Sequence, residues 1–282
     1  MKNILKAAFC CYVAIGAIAQ VKADNLDQMI SPVSHPVTFE DPRHSTEIRA
    51  IFAYHQIDDK FVTGGGDAQV YAVQARLKLT DDLSFIATKD GFVVLHHDGV
   101  VDDDEGFNDV AAGLKYSIVK DTNYIISTGL KYEIPLAKKE VFQGQGDGAL
   151  NPFVSAAYTM GELNLMAGSG LRMALDDTDS SLWDLDVHAD YKIGNFYPLV
   201  EVNLIHPYSS GDRLPIADEG EDFFNFGATQ SAGKNILSSA VGARYRITDD
   251  IDCGIAYQFP LDRTEGSRIL DWRITSDLIV RF

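Results

Sequence analysis

One stretch constrains the fold more than any other: Ile269 to Phe282, reading ILDWRITSDLIVRF. Leu270, Trp272, Ile274, Leu278, Val280 and Phe282 take every second position, with Ser276 the one polar member of the set. Asp271, Arg273, Thr275, Asp277, Ile279 and Arg281 fall between them. A strand sends successive side chains to opposite faces, so one face here is apolar and the other largely charged. Such a strand suits a wall with lipid on one side and a polar lumen on the other.

The same alternation recurs through residues 45–282. Twelve segments carry it: 45–57, 67–79, 83–95, 107–119, 124–136, 152–160, 163–175, 182–193, 196–206, 236–247, 251–261 and 269–282. Most are long enough to cross a bilayer as tilted strands. Their connections alternate in length. Thr80-Asp81-Asp82, residues 120–123, Gly161-Glu162, Gly194-Asn195 and Thr248-Asp249-Asp250 are short and have hairpin-turn chemistry. Residues 58–66, 96–106, 137–151, 176–181, 207–235 and 262–268 form the longer connections. Strict short-long alternation is expected of a membrane barrel with tight turns on one side and loops on the other. The reading is an all-β chain: a twelve-stranded antiparallel transmembrane up-and-down β-barrel over 45–282, with both termini on the short-turn, periplasmic side.

Residues 1–23 read as a secretory signal peptide: Lys2 and Lys6, an apolar run from Ala7 to Ala19, and a small-residue cleavage site ending at Ala23. Nothing later approaches 18 consecutive apolar residues, which excludes a helical membrane protein. Residues 24–44 hold Pro32, Pro36 and Pro42 and no sustained period. They read as a periplasmic N-terminal extension, with a place inside the lumen left open. Cys10 and Cys11 fall in the leader, so Cys253 alone follows it and no intramolecular disulfide is expected. With 41 acidic against 24 basic residues, and a net charge of −17, nucleic acid is excluded as a partner.

Aromatic residues fall at both rims of this topology. Phe85, Tyr116, Tyr124, Tyr158, Tyr191, Phe196 and Tyr245 lie at the turn end. Tyr54, Tyr71, Tyr132, Trp183, Tyr257 and Trp272 lie toward the loop end. Two aromatic girdles are the mark of two membrane interfaces. One residue fits badly: strict alternation from Leu83 aims Lys89 at lipid. A bulge at Lys89-Asp90-Gly91, or snorkelling toward the rim, is needed.

The inward register is highly charged. Its basic members include Arg49, Arg76, Lys115, Lys131, Arg172, Arg244, Arg246 and Arg273. Asp184, Asp186, His188 and Asp190 alternate with Trp183, Leu185, Val187, Ala189 and Tyr191, and Glu201 follows on the next strand. These thirteen are the expected pore-lining residues. Acids on one wall and bases on its neighbours give a transverse field able to orient a polar solute. Arg172, Arg244 and Arg246 are the expected partners of the acids by strand order. The alternative is a salt-bridged, closed barrel that acts through its acidic outer loops.

Other constellations are weaker. Asp98 with 102–105, and Asp218, Glu219, Glu221 and Asp222, read as solvated acidic loops with no calcium-loop order. His96-His97 has no further ligand nearby for zinc. Phe223, Phe224 and Phe226 need cover, either as a constriction in the mouth or between lengthened strands. His206 and Ser239 fall on adjacent strands and sketch a lipid hydrolase, without a third member. No catalytic residue, metal or cofactor is expected.

The alternating last strand ending at Phe282 is similar to the assembly signal of Gram-negative outer-membrane barrels. The whole pattern resembles twelve-stranded outer-membrane channels, such as the nucleoside-specific and acidic-oligosaccharide channels. Gly113-Leu114-Lys115-Tyr116 and Gly129-Leu130-Lys131-Tyr132, with the strand start Asn151-Pro152-Phe153-Val154, also look like the putative transporter family linked to phenol-degradation operons. The resemblance implies outer-membrane lipid around the chain and barrel-assembly machinery reading the strand that ends at Phe282. It implies passive passage of a small polar or amphipathic solute, with no reaction.

Overall fold

The computed structural model describes residues 26–99 and 102–282. The leader at 1–23, with Cys10 and Cys11, lies outside the described residues. Twelve antiparallel strands close into one barrel: β1 Glu47–Ile57, β2 Gly66–Lys78, β3 in two segments Leu83–Lys89 and Phe92–His97, and β4 in two segments Asp104–Phe107 and Val110–Lys120. The rest are β5 Tyr124–Ile134, β6 Ala149–Met160, β7 Leu163–Ala174, β8 Ser181–Tyr191, β9 Phe196–Ser209, β10 Ile236–Arg246, β11 Ile251–Pro260 and β12 Trp272–Arg281. Each strand pairs with its neighbours in sequence, and β1 closes the ring on β12, with Tyr54 opposite Ile274. Among the described residues the only helices are two single turns, Leu26–Gln28 and Lys139–Val141. Neither of these described helices is long and apolar enough to cross a membrane.

The outside of the barrel is built for lipid. Val73, Leu114, Leu130, Val154, Val187, Val200, Val241, Ile255 and Leu278 are all exposed, each on the outward register of its strand. In water so continuous an apolar band would aggregate; in a bilayer it is solvated. The rim aromatics named above all point outward, half-buried or exposed. Phe52 with Tyr71, and Tyr257 with Trp272, pack as adjacent pairs in the loop-end girdle.

The awkward lysine is resolved by a break in β3. The register slips between Ala87 and Lys89, and Gly91 takes a positive φ of 116°. The slip turns Thr88 and Lys89 inward together, where the Lys89 ammonium meets Glu133 at 2.5 Å. A bulge therefore saves the charge from lipid.

Residues 26–44, read above as a periplasmic extension, run inside the barrel. The segment enters at the turn end, climbs to an apex at His35 and returns to the turn end before β1. His35 takes a left-handed φ of 51°, and its carbonyl accepts the N–H of Phe39 at 2.9 Å. Its apolar residues find apolar ground on the inner wall. Met29 and Phe39 pack with Ile125, Ala157 and Met166. Ile30 and Val33 pack with Tyr197, Leu199, Ala240 and Ala256. Burying each such side chain stabilises the segment by about 1.5–3 kcal/mol. These inward apolar patches give the segment's apolar side chains a place to be buried.

Candidate functional site

All thirteen lumen-lining candidates turn inward. Arg49, Arg76, Lys115, Lys131, Asp184, Asp186, His188, Asp190, Glu201, Arg244 and Arg273 are buried, and Arg172 and Arg246 are half-buried. What they face is the chain's own N-terminal segment. An extended segment without a sheet partner leaves its amides and carbonyls unpaired, and burial makes that costly. The barrel wall supplies the partners. The Arg49 Nη2 donates to the Pro32 carbonyl at 2.8 Å, Arg244 Nε to Ser31 at 3.2 Å and Arg246 Nη2 to Met29 at 3.1 Å. Lys131 Nζ donates to Val37 at 2.8 Å and Lys115 Nζ to Asp41 at 2.5 Å. On the acidic wall, the Glu201 carboxylate accepts the N–H groups of Val33 at 2.8 Å and Ser34 at 2.7 Å. The opposed charges of the wall thus read the two polarities of one peptide backbone.

The segment's own charges are paired as tightly. Arg76 grips Glu40 with Nε at 3.0 Å and Nη2 at 2.7 Å, and Lys115 Nζ adds a third contact at 2.8 Å. Burial alone would raise the Glu40 pKa, but the two cations override it and hold it down at about 2. At the apex, burial disfavours a charged His35. Asp186 at 3.3 Å and Glu221 at 3.8 Å overcome this and lift its pKa to about 10.

The acids of β8 and β9 do not take the arginines expected for them. The His188 imidazole bridges Glu201 at 2.7 Å and Asp190 at 3.0 Å. Asn164 donates to Asp190 at 2.8 Å and Asn203 to Asp186 at 2.7 Å. Register explains the difference. Arg244 stands opposite Tyr197, four residues from Glu201 on β9, or roughly 13 Å along the strand. It reaches instead to Asp277 at 2.8 Å, which Arg49 shares at 2.5 Å. Arg246 meets Asp252 at 3.4 Å, and Arg172 meets Glu133 at 2.8 Å and Asp179 at 2.9 Å.

The mouth at the loop end is closed by residues 212–228. Phe223, Phe224 and Phe226 are buried, so this loop folds inward as a constriction. The acidic run within it, read above as a solvated loop, is also buried. Arg268 binds Asp218 at 3.0 Å, and Arg273 binds Asp222 at 2.7 Å and Glu221 at 3.2 Å. The sequence offered no sign of these pairs, since Arg273 is some fifty residues distant along the chain. Cavities of about 40 Å³ beside Lys131, Asp184 and Phe224 and about 20 Å³ beside His55 and Phe226 lie within the barrel, and one of about 210 Å³ lies at the turn end beside Ser31, Asp41, Arg43, His44 and Glu47. A water needs roughly 10–15 Å³, so the first two hold a few waters and no solute.

His35, Glu221 and Asp222 place three metal-binding atoms within 4.8 Å of one another. The Arg273 guanidinium already lies against both carboxylates, and the Gln258 amide lies 2.9 Å from His35 Nε2. A cation there would meet a fixed positive charge, so the donor set does not suit a metal. His206 and Ser239 are not brought together. Ser239 stands opposite Val202 and donates to the Glu201 carbonyl at 2.9 Å, while His206 Nδ1 lies 2.7 Å from Asn235. His96 Nδ1 sits 3.2 Å from Asp67, apart from the lumen.

Against known structures, the chain is similar to the COG4313 outer membrane channel from Pseudomonas putida F1. The two are 13% identical, with 90% of this chain and 100% of that one covered and a TM-score of 0.61. The fold is that of an outer-membrane barrel. Lower likenesses include the NanC porin, 12% identical with 84% and 99% of the chains covered and a TM-score of 0.48. A KdgM porin in complex with disordered oligogalacturonate is 10% identical, with 83% and 99% covered and a TM-score of 0.47. No protein-family model and no curated protein matches the sequence.

Proposed function

We propose that this protein is a passive outer-membrane channel for a small polar or amphipathic solute, seen with its lumen closed. The observation that carries the reading is the inner wall. A barrel that only anchors in lipid needs a filled interior, and apolar side chains fill one at less cost than buried ion pairs. This barrel instead opposes acids on β8 and β9 to cations on β1, β2, β4, β5 and β10, and fills the space between with residues 26–44, which hydrogen bonds and ion pairs hold against the wall. Outer-membrane lipid surrounds the barrel, both termini face the periplasm, and the strand ending at Phe282 meets the assembly machinery. Planar-bilayer recording on the full chain tests the channel. Brief single-channel openings are expected, and their frequency should rise when Arg49 and Arg244, which hold the segment's carbonyls, are replaced by Met. The thirteen lumen residues are proposed to flank the solute path. Replacing Asp186 and Asp190 by Asn should then shift reversal potentials toward anions, and replacing Arg244 and Arg246 by Gln toward cations.

A second reading is favoured by the small internal cavities: a permanently filled barrel that acts through its acidic outer loops. Silence of the wild type and of the Arg49→Met/Arg244→Met protein in the bilayer, with both correctly folded, would select it. An enzyme reading draws no support from His206 and Ser239, which bind other partners.

A further inference from the structure

We infer that Arg76 and Lys115 form a carboxylate-binding site on the lumen wall, that Glu40 fills it as an internal stand-in, and that small carboxylates are the solutes recognised there. The inference rests on the channel reading and names the chemistry the channel selects.

The site belongs to the barrel and the occupant does not. Arg76 lies on β2 and Lys115 on β4, both in the half of the barrel nearer the short turns, and both buried. The Arg76 fork takes both Glu40 oxygens, at 3.0 and 2.7 Å, and Lys115 adds a contact to Oε1 at 2.8 Å. A planar two-oxygen anion matches this fork, and a point anion cannot use both of its arms. The remaining partners of Lys115 Nζ are the carbonyls of Asp41 and Arg43, which leave with the same segment. Arg76 would keep one wall acid, Glu47 at 3.4 Å, which Arg281 also contacts at 3.4 Å. Withdrawal of residues 40–43 therefore uncovers two cations, of which only Arg76 keeps a carboxylate, and that one shared with Arg281. Leaving buried charge uncompensated is strongly unfavourable, so the limb leaves readily only when another anion takes its place. A solute carboxylate is thus both the ligand of the wall and the competitor of the closed form.

The test uses the full chain with gluconate as the carboxylate and sorbitol as its uncharged counterpart. Glu40→Gln keeps the shape of the occupant and removes its charge. In detergent, the heat-modifiability midpoint of Glu40→Gln should fall below that of the wild type. Gluconate should restore it and sorbitol should not. Adding Lys115→Met should abolish the gluconate response, and Arg76→Lys, which keeps charge but loses the fork, should weaken it roughly tenfold. In the bilayer, gluconate should raise wild-type opening frequency above that in sorbitol, a readout that survives if Glu40→Gln does not fold. Equal responses to gluconate and sorbitol in folded Glu40→Gln, or in the conducting wild type, overturn the site and leave the channel standing. Gluconate-specific stabilisation in a protein that never conducts keeps the site and removes the channel.

Discussion

Asp277→Asn separates a dry, filled lumen from a hydrated one. Asp277 is the one carboxylate between two guanidiniums, Arg49 at 2.5 Å and Arg244 at 2.8 Å, and all three are at most 6% exposed. Asparagine keeps the shape and removes the charge, which leaves two buried arginines facing each other. Breaking a buried pair in this way costs about 3–5 kcal/mol, because the surviving charge stays desolvated. Pairs that water reaches are worth only about 0.2–1 kcal/mol. Urea unfolding in lipid vesicles, followed by heat-modifiable migration, reads the difference. A loss of about 3 kcal/mol or more is expected. A loss below about 1 kcal/mol would mean that water already screens the triad, and the filled lumen argued from Ser31, Pro32 and these arginines would be wrong. A control replaces Arg49 and Arg244 by Met and Asp277 by Leu together. It removes every charge and should recover most of the loss, short of the hydrogen bonds that Ser31 and Pro32 forfeit, at about 1–3 kcal/mol each.

Three further outcomes are expected. The His35 charge faces Asp186 on β8, Glu221 and Asp222 in the inner loop and Gln258 on β11; with its pKa raised to about 10, its contribution is complete below about 6.5 and lost as pH rises through about 10. The heat-modifiability midpoint should therefore fall between pH 7 and pH 10 in the wild type, and His35→Gln should flatten that dependence. Arg273→Gln removes the cation that holds Glu221 and Asp222, so limited proteolysis should cut residues 212–228 faster than in the wild type, while cutting of the turns stays unchanged. A Cβ at Gly129 would stand 2.4 Å from the Phe153 ring, so Gly129→Val should lower the yield of folded barrel on refolding into detergent, and Phe153→Ala in the same chain should recover part of it.

The wall was legible because lipid imposes one rule on every strand. An outward residue is mostly apolar, so a period of two survives in each segment, and even the misfit charge at Lys89 pointed to the bulge that the register slip supplies. Turn chemistry and the rim aromatics added independent signals of the same topology. Inward direction was legible for the same reason: a charge placed opposite Leu185 and Val187 has only the lumen to face. Pairing was not. Strand tilt offsets neighbours along the barrel axis, so adjacency in strand order does not place Arg244 beside Glu201, and Asp277 two strands away lies closer.

The filling of the lumen left a trace that periodicity does not capture. Met29, Ile30, Val33, Val37 and Phe39 stand in a stretch assigned to water, where such residues have no place to be buried. On the wall, Ile125, Met166, Tyr197 and Leu199 occupy inward positions that a purely aqueous lumen would leave polar. Each anomaly alone is tolerable, since lone apolar residues are common on surfaces. Together they are complementary: an apolar segment without a core, and core-like patches without a segment, at the same end of the barrel. The prolines settle how the two meet. Pro32, Pro36 and Pro42 lack the N–H groups a ladder needs, so the segment cannot join the sheet as a thirteenth strand. It must satisfy its backbone from side chains, and the mixed charge of the wall supplies donors for its carbonyls and acceptors for its amides. The charges that make the wall suitable for a polar solute are therefore the ones that hold the barrel shut, and any solute that passes has to compete for them.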